Sequence, residues 1–354
     1  VIILRIIALP FLPLYGLATL LRNGLYRVKG MRASSFDLPV INVGNLSTGG
    51  TGKSPHTEYM VRLLQPDYPV ATLSRGYGRR TKGYREVLAS DTSTEAGDEP
   101  LQFRRKFDER VRVFVDENRV RGVLNLLYDF PEADVVVLDD AFQHRAIEPG
   151  LNILLTEYSQ PFYSDYILPI GDLREFRTGA QRADAVVVTK CPNMTLQDRQ
   201  TVEKRVGRYS DAPVFFSRIV YGNLVPVTEA AKSFKISKVL LVTGIANHEP
   251  LLNHLSEEHE VVRHMRYRDH YAFRPSDFDQ IRKIFSTFGG SGLAIVTTEK
   301  DAVRMHGSAG FDAINGLPLF YQEITVDFGN DRNRFDDLIK NYVGKNKADR
   351  NVSE

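Results

Sequence analysis

The sequence predicts a two-domain α/β protein built on a mostly parallel sheet, with a P-loop NTPase-like first domain and a second, smaller α/β domain. Three observations predict it. Short β-branched and apolar runs alternate with stretches of helical spacing along most of the chain. Those runs are continuously apolar, which suits parallel strands covered by helices on both faces. A glycine-rich segment, G-N-L-S-T-G-G-T-G-K-S-P from Gly44 to Pro55, joins the first apolar run to the first helical one. The 354 residues match about two domains.

The elements follow in order. Residues 1–32 carry no charge between Ile6 and Leu21, and Arg22, Arg27, Lys29 and Arg32 come next. The run falls slightly short of the ~18–20 apolar residues of a spanning helix, and Pro10 and Pro13 interrupt it. A buried core helix is one reading, and a cleavable signal peptide lacks an A-x-A-like site. The preferred reading is a membrane-associated helix that spans or lies on the bilayer, with its basic flank cytoplasmic.

A P-loop domain is expected over 33–212, with strands at Val40–Val43, Val70–Leu73, Val111–Val115, Asp134–Leu138, Leu151–Leu155 and Ala185–Val188. Lys53 to Leu64 reads as a helix, and Pro55 is tolerated in its first turn. An extended linker is expected over 213–237. The smaller domain then runs over 238–318, with strands at Lys238–Val242 and Leu293–Val296 and a helix at Ser276–Phe288. A returning strand from Leu319 and a final helix capped by Asn333 fill 319–343, and 344–354 reads as a disordered tail.

Composition excludes some classes. The net charge of +2 offers no basic excess for nucleic acid. The single cysteine, Cys191, permits neither an intrachain disulfide nor a Cys-based zinc site.

The glycine segment ends as a P-loop, Gly52-Lys53-Ser54, but Ser47 stands where G-x-x-x-x-G-K-[ST] has its first glycine. Backbone N–H groups of Gly49, Gly50, Thr51 and Gly52 at a helix start would cradle phosphate. Lys53 would reach the β- and γ-phosphates, and the Ser54 hydroxyl would ligate Mg²⁺. A metal-side acid is expected at the end of a neighbouring strand, and V-V-V-L-D-D supplies Asp139 and Asp140, in an order of metal contact left open. The Arg75–Arg85 loop holds five basic residues and no acid, which suits an anionic group or a solvated loop. Asp98, in A-G-D-E-P, reads as a helix cap or as the group that takes or orients a hydroxyl proton. His270, beside Asp269, and His144, in Q-H-R, are weaker candidates, since a lone histidine is more often a structural hydrogen-bonder.

Taken together, G-N-L-S-T-G-G-T-G-K-S-P, S-R-G-Y-G, G-D-E-P, L-D-D-A-F-Q-H, L-P-I-G-D-L-R-E, T-G-I-A-N, D-H and T-E-K-D-A-V resemble the tetraacyldisaccharide 4′-kinase family from the apolar N-terminus to about Arg304. The resemblance implies ATP- and Mg²⁺-dependent phosphorylation of the 4′-hydroxyl of a lipid-linked glucosamine disaccharide 1-phosphate. It places the enzyme at the cytoplasmic face of the inner membrane, with no protein partner required. Carried over by motif, Lys53 and Ser54 serve phosphate and Mg²⁺, and Asp139 and Asp140 serve the metal. Asp98 pairs with His270 as a catalytic dyad, and Arg75, Tyr77, Gln143, His144, Arg174, Glu175 and Asn247 line the cleft.

Three positions depart from the family text: Ser54 stands for Thr, Tyr271 for the second histidine of D-H-H, and Ile170-Gly171-Asp172 for a more neutral segment. Two rival readings exist. In a deviant Walker A ATPase regulated by a protein partner, Thr48 would occupy the place of the signature lysine. A P-loop GTPase would need N-K-x-D where this chain has T-K-C-P from Thr189 to Pro192.

Overall fold

A computed structural model of the chain describes residues 10, 12–28, 30–107 and 109–353, with side chains described to residue 346. The first element, α1 (Leu12–Arg27), carries exposed Leu14, Leu17, Leu20, Leu21 and Leu25 and buries only Gly16 and Thr19. Residues 1–9 of the expected apolar helix, with residues 11 and 29, lie outside the described residues. Among the described residues no helix is long and apolar enough to cross a membrane.

The first domain then builds β1 (Val40–Asn45), α2 (Lys53–Leu64), β2 (Val70–Ser74), the short β3 (Arg85–Glu86), α3 (Asp98–Lys106), β4 (Val111–Val115), α4 (Arg119–Asp129), β5 (Val135–Asp139), β6 (Leu151–Glu157), β7 (Ala185–Thr189), α5 (Leu196–Val206) and β8 (Val214–Phe216). Its eight strands lie in the order β3-β4-β2-β5-β1-β6-β7-β8, all pairs parallel except β3 with β4. The central strands are buried throughout, as their unbroken apolar runs require. The chain leaves β1 towards β2 on one side, while β6 continues the sheet on the other. Strand order therefore reverses at β1, and ligands of open parallel sheets bind at the strand ends beside such a reversal.

The expected extended linker over 213–237 contains two strands. β8 closes the first sheet, and β9 (Arg218–Pro226) opens the second after Ser217 alone. The second domain adds β10 (Lys238–Thr243), α6 (Glu249–Glu258), β11 (Glu260–Arg266), α7 (Pro275–Thr287), β12 (Leu293–Thr298), α8 (Glu299–Met305) and β13 (Leu319–Asp327). Its strand order is β11-β10-β12-β13-β9, with β9 antiparallel to β13. Leu240, Val242, Phe278 and Ile281 pack on one face, and Val239, Leu241, Leu251 and Leu255 on the other.

The last helix, α9 (Arg332–Ser353), returns to the first domain. Phe335, Ile339 and Val343 join the core formed by Ile41, Val43 and Met60, and the Tyr342 hydroxyl bonds the backbone of Val40. Helix continues to Ser353, where a disordered tail was expected from Gly344. Asn333 lies inside this helix rather than at its cap, because the turn Gly329–Asp331 runs directly into it. The polar text after Gly344 carries no helix-breaking residue, so the backbone ladder simply runs on.

Candidate active site

The glycine loop leaves β1 and opens α2, while Asp139 ends the adjacent β5 in register with Val43. Ser47 explains the missing first glycine. Leu46 to Thr48 runs extended beside Asp172–Arg174, with Thr48 N–H donating to the Asp172 carbonyl at 2.7 Å and Arg174 N–H to the Leu46 carbonyl at 2.7 Å. A strand-like pairing needs no glycine; the sharp bends come later, at Gly49 (φ 110°) and Gly52 (φ 84°). Asn45 braces the loop by donating to the Thr51 hydroxyl at 2.8 Å, and Lys53 Nζ donates to Asn45 Oδ1 at 3.4 Å. The Thr48 hydroxyl bonds the Asp172 carbonyl, so this position belongs to the scaffold, and no lysine occupies the signature site of the rival ATPase class.

Charge converges around that loop. Lys53 Nζ lies 3.9 Å from Asp140, which also receives Arg174 Nη2 at 2.7 Å. Burial opposes the Asp140 anion, but Lys53 and Arg174 together hold its pKa below the ordinary value. Asp140 sits at φ 50°, a left-handed conformation that aspartate tolerates and that is common at functional turns. Asp139 is buried, and its one described side-chain partner is the Thr57 hydroxyl at 3.3 Å. Burial first, then Glu99 and Asp140, pushes its pKa up to about 7.

A divalent cation would relieve that excess of carboxylate, and the donors present decide whether the site fits Mg²⁺. Magnesium typically takes one or two carboxylates and fills its remaining positions with water and substrate phosphate. Asp139, Asp140 and the Ser54 hydroxyl suit that pattern. Among the described residues no group of three His, Cys, Asp or Glu forms an all-protein cage.

The second domain closes the site through α8. Thr298 caps this helix, and Lys300 and Arg304 share one face at i, i+4 spacing. They meet the two acids that begin α3. Lys300 Nζ donates to Glu99 Oε1 at 2.5 Å, and Arg304 Nε donates to Asp98 Oδ2 at 2.7 Å. The Ser54 hydroxyl donates to the same Glu99 oxygen at 2.6 Å. Despite burial, Lys300, Ser54 and Lys53 bring the Glu99 pKa down to about 2. Gly97 (φ 93°) sets the entry to α3; a Cβ there would lie 3.0 Å from the Tyr77 carbonyl.

Asp98 and His270 do come together, with Oδ2 and Nδ1 3.3 Å apart. Arg304 is a third member that the sequence reading left without a role. Its Nη2 donates to His270 Nδ1 at 3.1 Å, and its Nη1 donates to Asp301 at 2.8 Å and to the Gly244 carbonyl at 3.0 Å. His270 Nδ1 thus faces a donor, Arg304 Nη2, and an acceptor, the Asp98 carboxylate, and its tautomer decides which of the two it bonds. Burial works against the Asp98 anion, but His270 and Arg304 hold its pKa below the ordinary value. Tyr77 lies over His270 with ring centroids 5.4 Å apart.

The remaining candidates divide. Gln143 donates to the Asn45 carbonyl and to Glu175, and Glu175 is fully buried between Arg182, Gln143 and Asn23 of α1. These two brace the loop. His144 Nε2 accepts the N–H of Arg119, the first residue of α4, at 3.0 Å. Burial, then Arg119 and Arg75, lowers its pKa to about 4, as a lone-pair cap requires. In the basic loop Arg79 pairs with Glu117 and Arg85 with Asp91. Arg75, Arg80 and Lys82 stay exposed, with no side-chain partner among the described residues. Asn247 is exposed beyond β10 and bonds none of the other candidates.

Comparisons with known proteins bear on the family of the chain. The family model described as tetraacyldisaccharide-1-P 4′-kinase matches residues 4–344. A tetraacyldisaccharide 4′-kinase of Phocaeicola vulgatus is 40% identical over 352 residues, covering 96% of this chain and 95% of that protein. One of Parabacteroides distasonis is 41% identical over 346 residues, covering 94% and 93%. A crystal structure of LpxK from Aquifex aeolicus in complex with ATP is 29% identical, superposes with a TM-score of 0.73, and covers 96% of this chain and 99% of that one. These matches support the kinase reading and give none to the partner-regulated ATPase. The chain belongs to the tetraacyldisaccharide-1-P 4′-kinase family.

Proposed function

We propose that this enzyme transfers the γ-phosphoryl group of ATP to the 4′-hydroxyl of a lipid-linked glucosamine disaccharide 1-phosphate. The observation that carries this reading is Asp98, held anionic beside Arg304 and His270 and next to Glu99, whose carboxylate takes the Ser54 hydroxyl of the phosphate loop. In the transfer the sugar oxygen bonds to the γ-phosphorus while the bond from that phosphorus to the β–γ bridging oxygen breaks, leaving ADP. The hydroxyl proton passes to the Asp98–His270 pair. An imidazole that takes the proton carries N–H on both ring nitrogens, so Nδ1 donates to Asp98 and cannot accept from Arg304 Nη2. Lys53 and the loop amides hold the β- and γ-phosphates. Mg²⁺ held by Ser54, Asp139 and Asp140 would neutralise phosphate charge. Arg75, Arg80, Lys82 and Tyr77 are open to an anionic headgroup, whereas Gln143 and Glu175 support the loop from behind and His144 caps α4.

Replacing Asp98 tests the reading. Asp98→Ala should lower kcat by about 10² or more while leaving ATP affinity within a few-fold. Turnover near wild type would reject the role.

The membrane part of the proposal rests on α1. Its exposed leucines face away from the site, while Tyr15 and Asn23 tie its other side to Arg174 and Glu175. This arrangement suits a helix lying on the cytoplasmic face of the inner membrane, where the substrate's acyl chains stay embedded. Deleting residues 1–30 should abolish co-flotation with vesicles of phosphatidylethanolamine and phosphatidylglycerol. Flotation that persists would assign attachment to another surface.

A further inference from the structure

His56 lies in the first turn of α2 and is buried, and nothing in the proposed chemistry uses it. Its Nδ1 sits 2.6 Å from the Gly52 carbonyl, and its Nε2 sits 2.8 Å from the Ser217 hydroxyl. A carbonyl can only accept, so Nδ1 carries the proton and Nε2 accepts from Ser217. Burial lowers the His56 pKa to about 4, which keeps the ring neutral and preserves that tautomer. The Gly52 carbonyl thus accepts twice, from His56 Nδ1 and from the His56 backbone N–H at 3.2 Å. Its peptide plane also contains the Lys53 N–H, which points the opposite way, out of the helix N-terminus and into the phosphate cradle. Fixing the carbonyl therefore fixes the direction of that amide.

The other end of the ring reaches the junction between the domains. Ser217 is the single residue between β8 and β9, and its backbone bonds Val188 and Cys191 at the end of β7. Phe328, where the chain re-enters the first domain, meets the same ring at 5.9 Å between centroids.

We propose that His56 is a positioning residue of the phosphate loop, clamping the Gly52 carbonyl through Nδ1 and tying that clamp through Ser217 to the crossover between the domains. The inference rests on the reading of this loop as the ATP site. Two substitutions separate the bonds. In His56→Asn the amide nitrogen replaces Nδ1 and still reaches Gly52; in His56→Gln the amide extends towards Ser217 and leaves Gly52 unclamped.

ATP binding with Mg²⁺ by calorimetry, together with steady-state kinetics, reads the difference. H56Q should raise the ATP Kd and KM about 10-fold with kcat within about threefold, and H56N should stay within about threefold of wild type. Equal losses in the two variants, or none in H56Q, would overturn the clamp. Ser217→Ala keeps the ring and gives an independent reading. It should raise Kd about threefold alone and not at all on top of H56N, because both changes delete one hydrogen bond. Additive losses would overturn the tie to the crossover. Failure of the wild-type chain to bind ATP at all would reject the phosphate-loop reading itself, and the inference with it.

Discussion

Arg304 decides what the acid and the imidazole can do, because it touches both. Arg304→Lys keeps a cation but loses the fork that spans Asp98, His270 and Asp301. The Asp98 pKa should then rise, so the acidic limb of the kcat/KM–pH profile should move to higher pH and kcat should drop about 10-fold. An unmoved limb would remove Arg304 from this role. Two histidines make a second statement at the same scale. His56 and His144 have folded pKa values of about 4, against about 6.5 in an unfolded chain. Their stabilisation is present above about 6.5 and is lost as pH falls towards 4, because the unfolded chain binds those protons first. Unfolding free energy should therefore decline as pH falls from about 6.5 to 5, by at most ~1.4 kcal/mol per pH unit for each histidine. Urea titrations that show the same slope in H144Q as in wild type would contradict this for His144.

At the level of elements, α8 is held from behind by a buried ion cluster. Lys106 of α3 meets Glu58 of α2 and Glu299 of α8 at 2.9 Å each, with Glu323 of β13 at 3.8 Å. Removing the cation leaves buried carboxylates facing one another, so Lys106→Met should cost ~3 kcal/mol of stability in urea unfolding. It should also lower kcat, since Glu299 adjoins Lys300 in the helix; a stable, fully active K106M would dismiss the cluster as a support. None of this geometry could be read from the chain, and the reason is separation. Arg304 lies 206 residues from Asp98, and Lys300 lies 201 from Glu99. T-E-K-D-A-V was visible as text, but periodicity does not say which helix face meets which acid. The strands, the glycine loop and Asp139-Asp140 were legible because they are local. Apolar runs, a βα turn and a strand-end acid pair each declare themselves within a few residues. His144 was legible as a residue near the site but not in its cap role, which needs Arg119 placed against it.

The whole molecule is two sheets joined by two crossovers, one through Ser217 into β9 and one from β13 into α9. Across the cleft the domains meet through Glu99–Lys300, Asp98–Arg304 and Lys106–Glu299. The acids that begin α3 therefore face both the phosphate loop and the second domain, an arrangement suited to joining two substrates rather than to simple ATP hydrolysis. The most direct measurement supplies the purified enzyme with Mg²⁺-ATP and the tetraacyl disaccharide 1-phosphate in detergent micelles, then follows ADP and lipid product together. The account predicts one 1,4′-bisphosphate lipid per ADP, with the new phosphomonoester on the 4′ oxygen by phosphorus NMR. ADP released without phosphorylated lipid, or phosphate on any other hydroxyl, would contradict it.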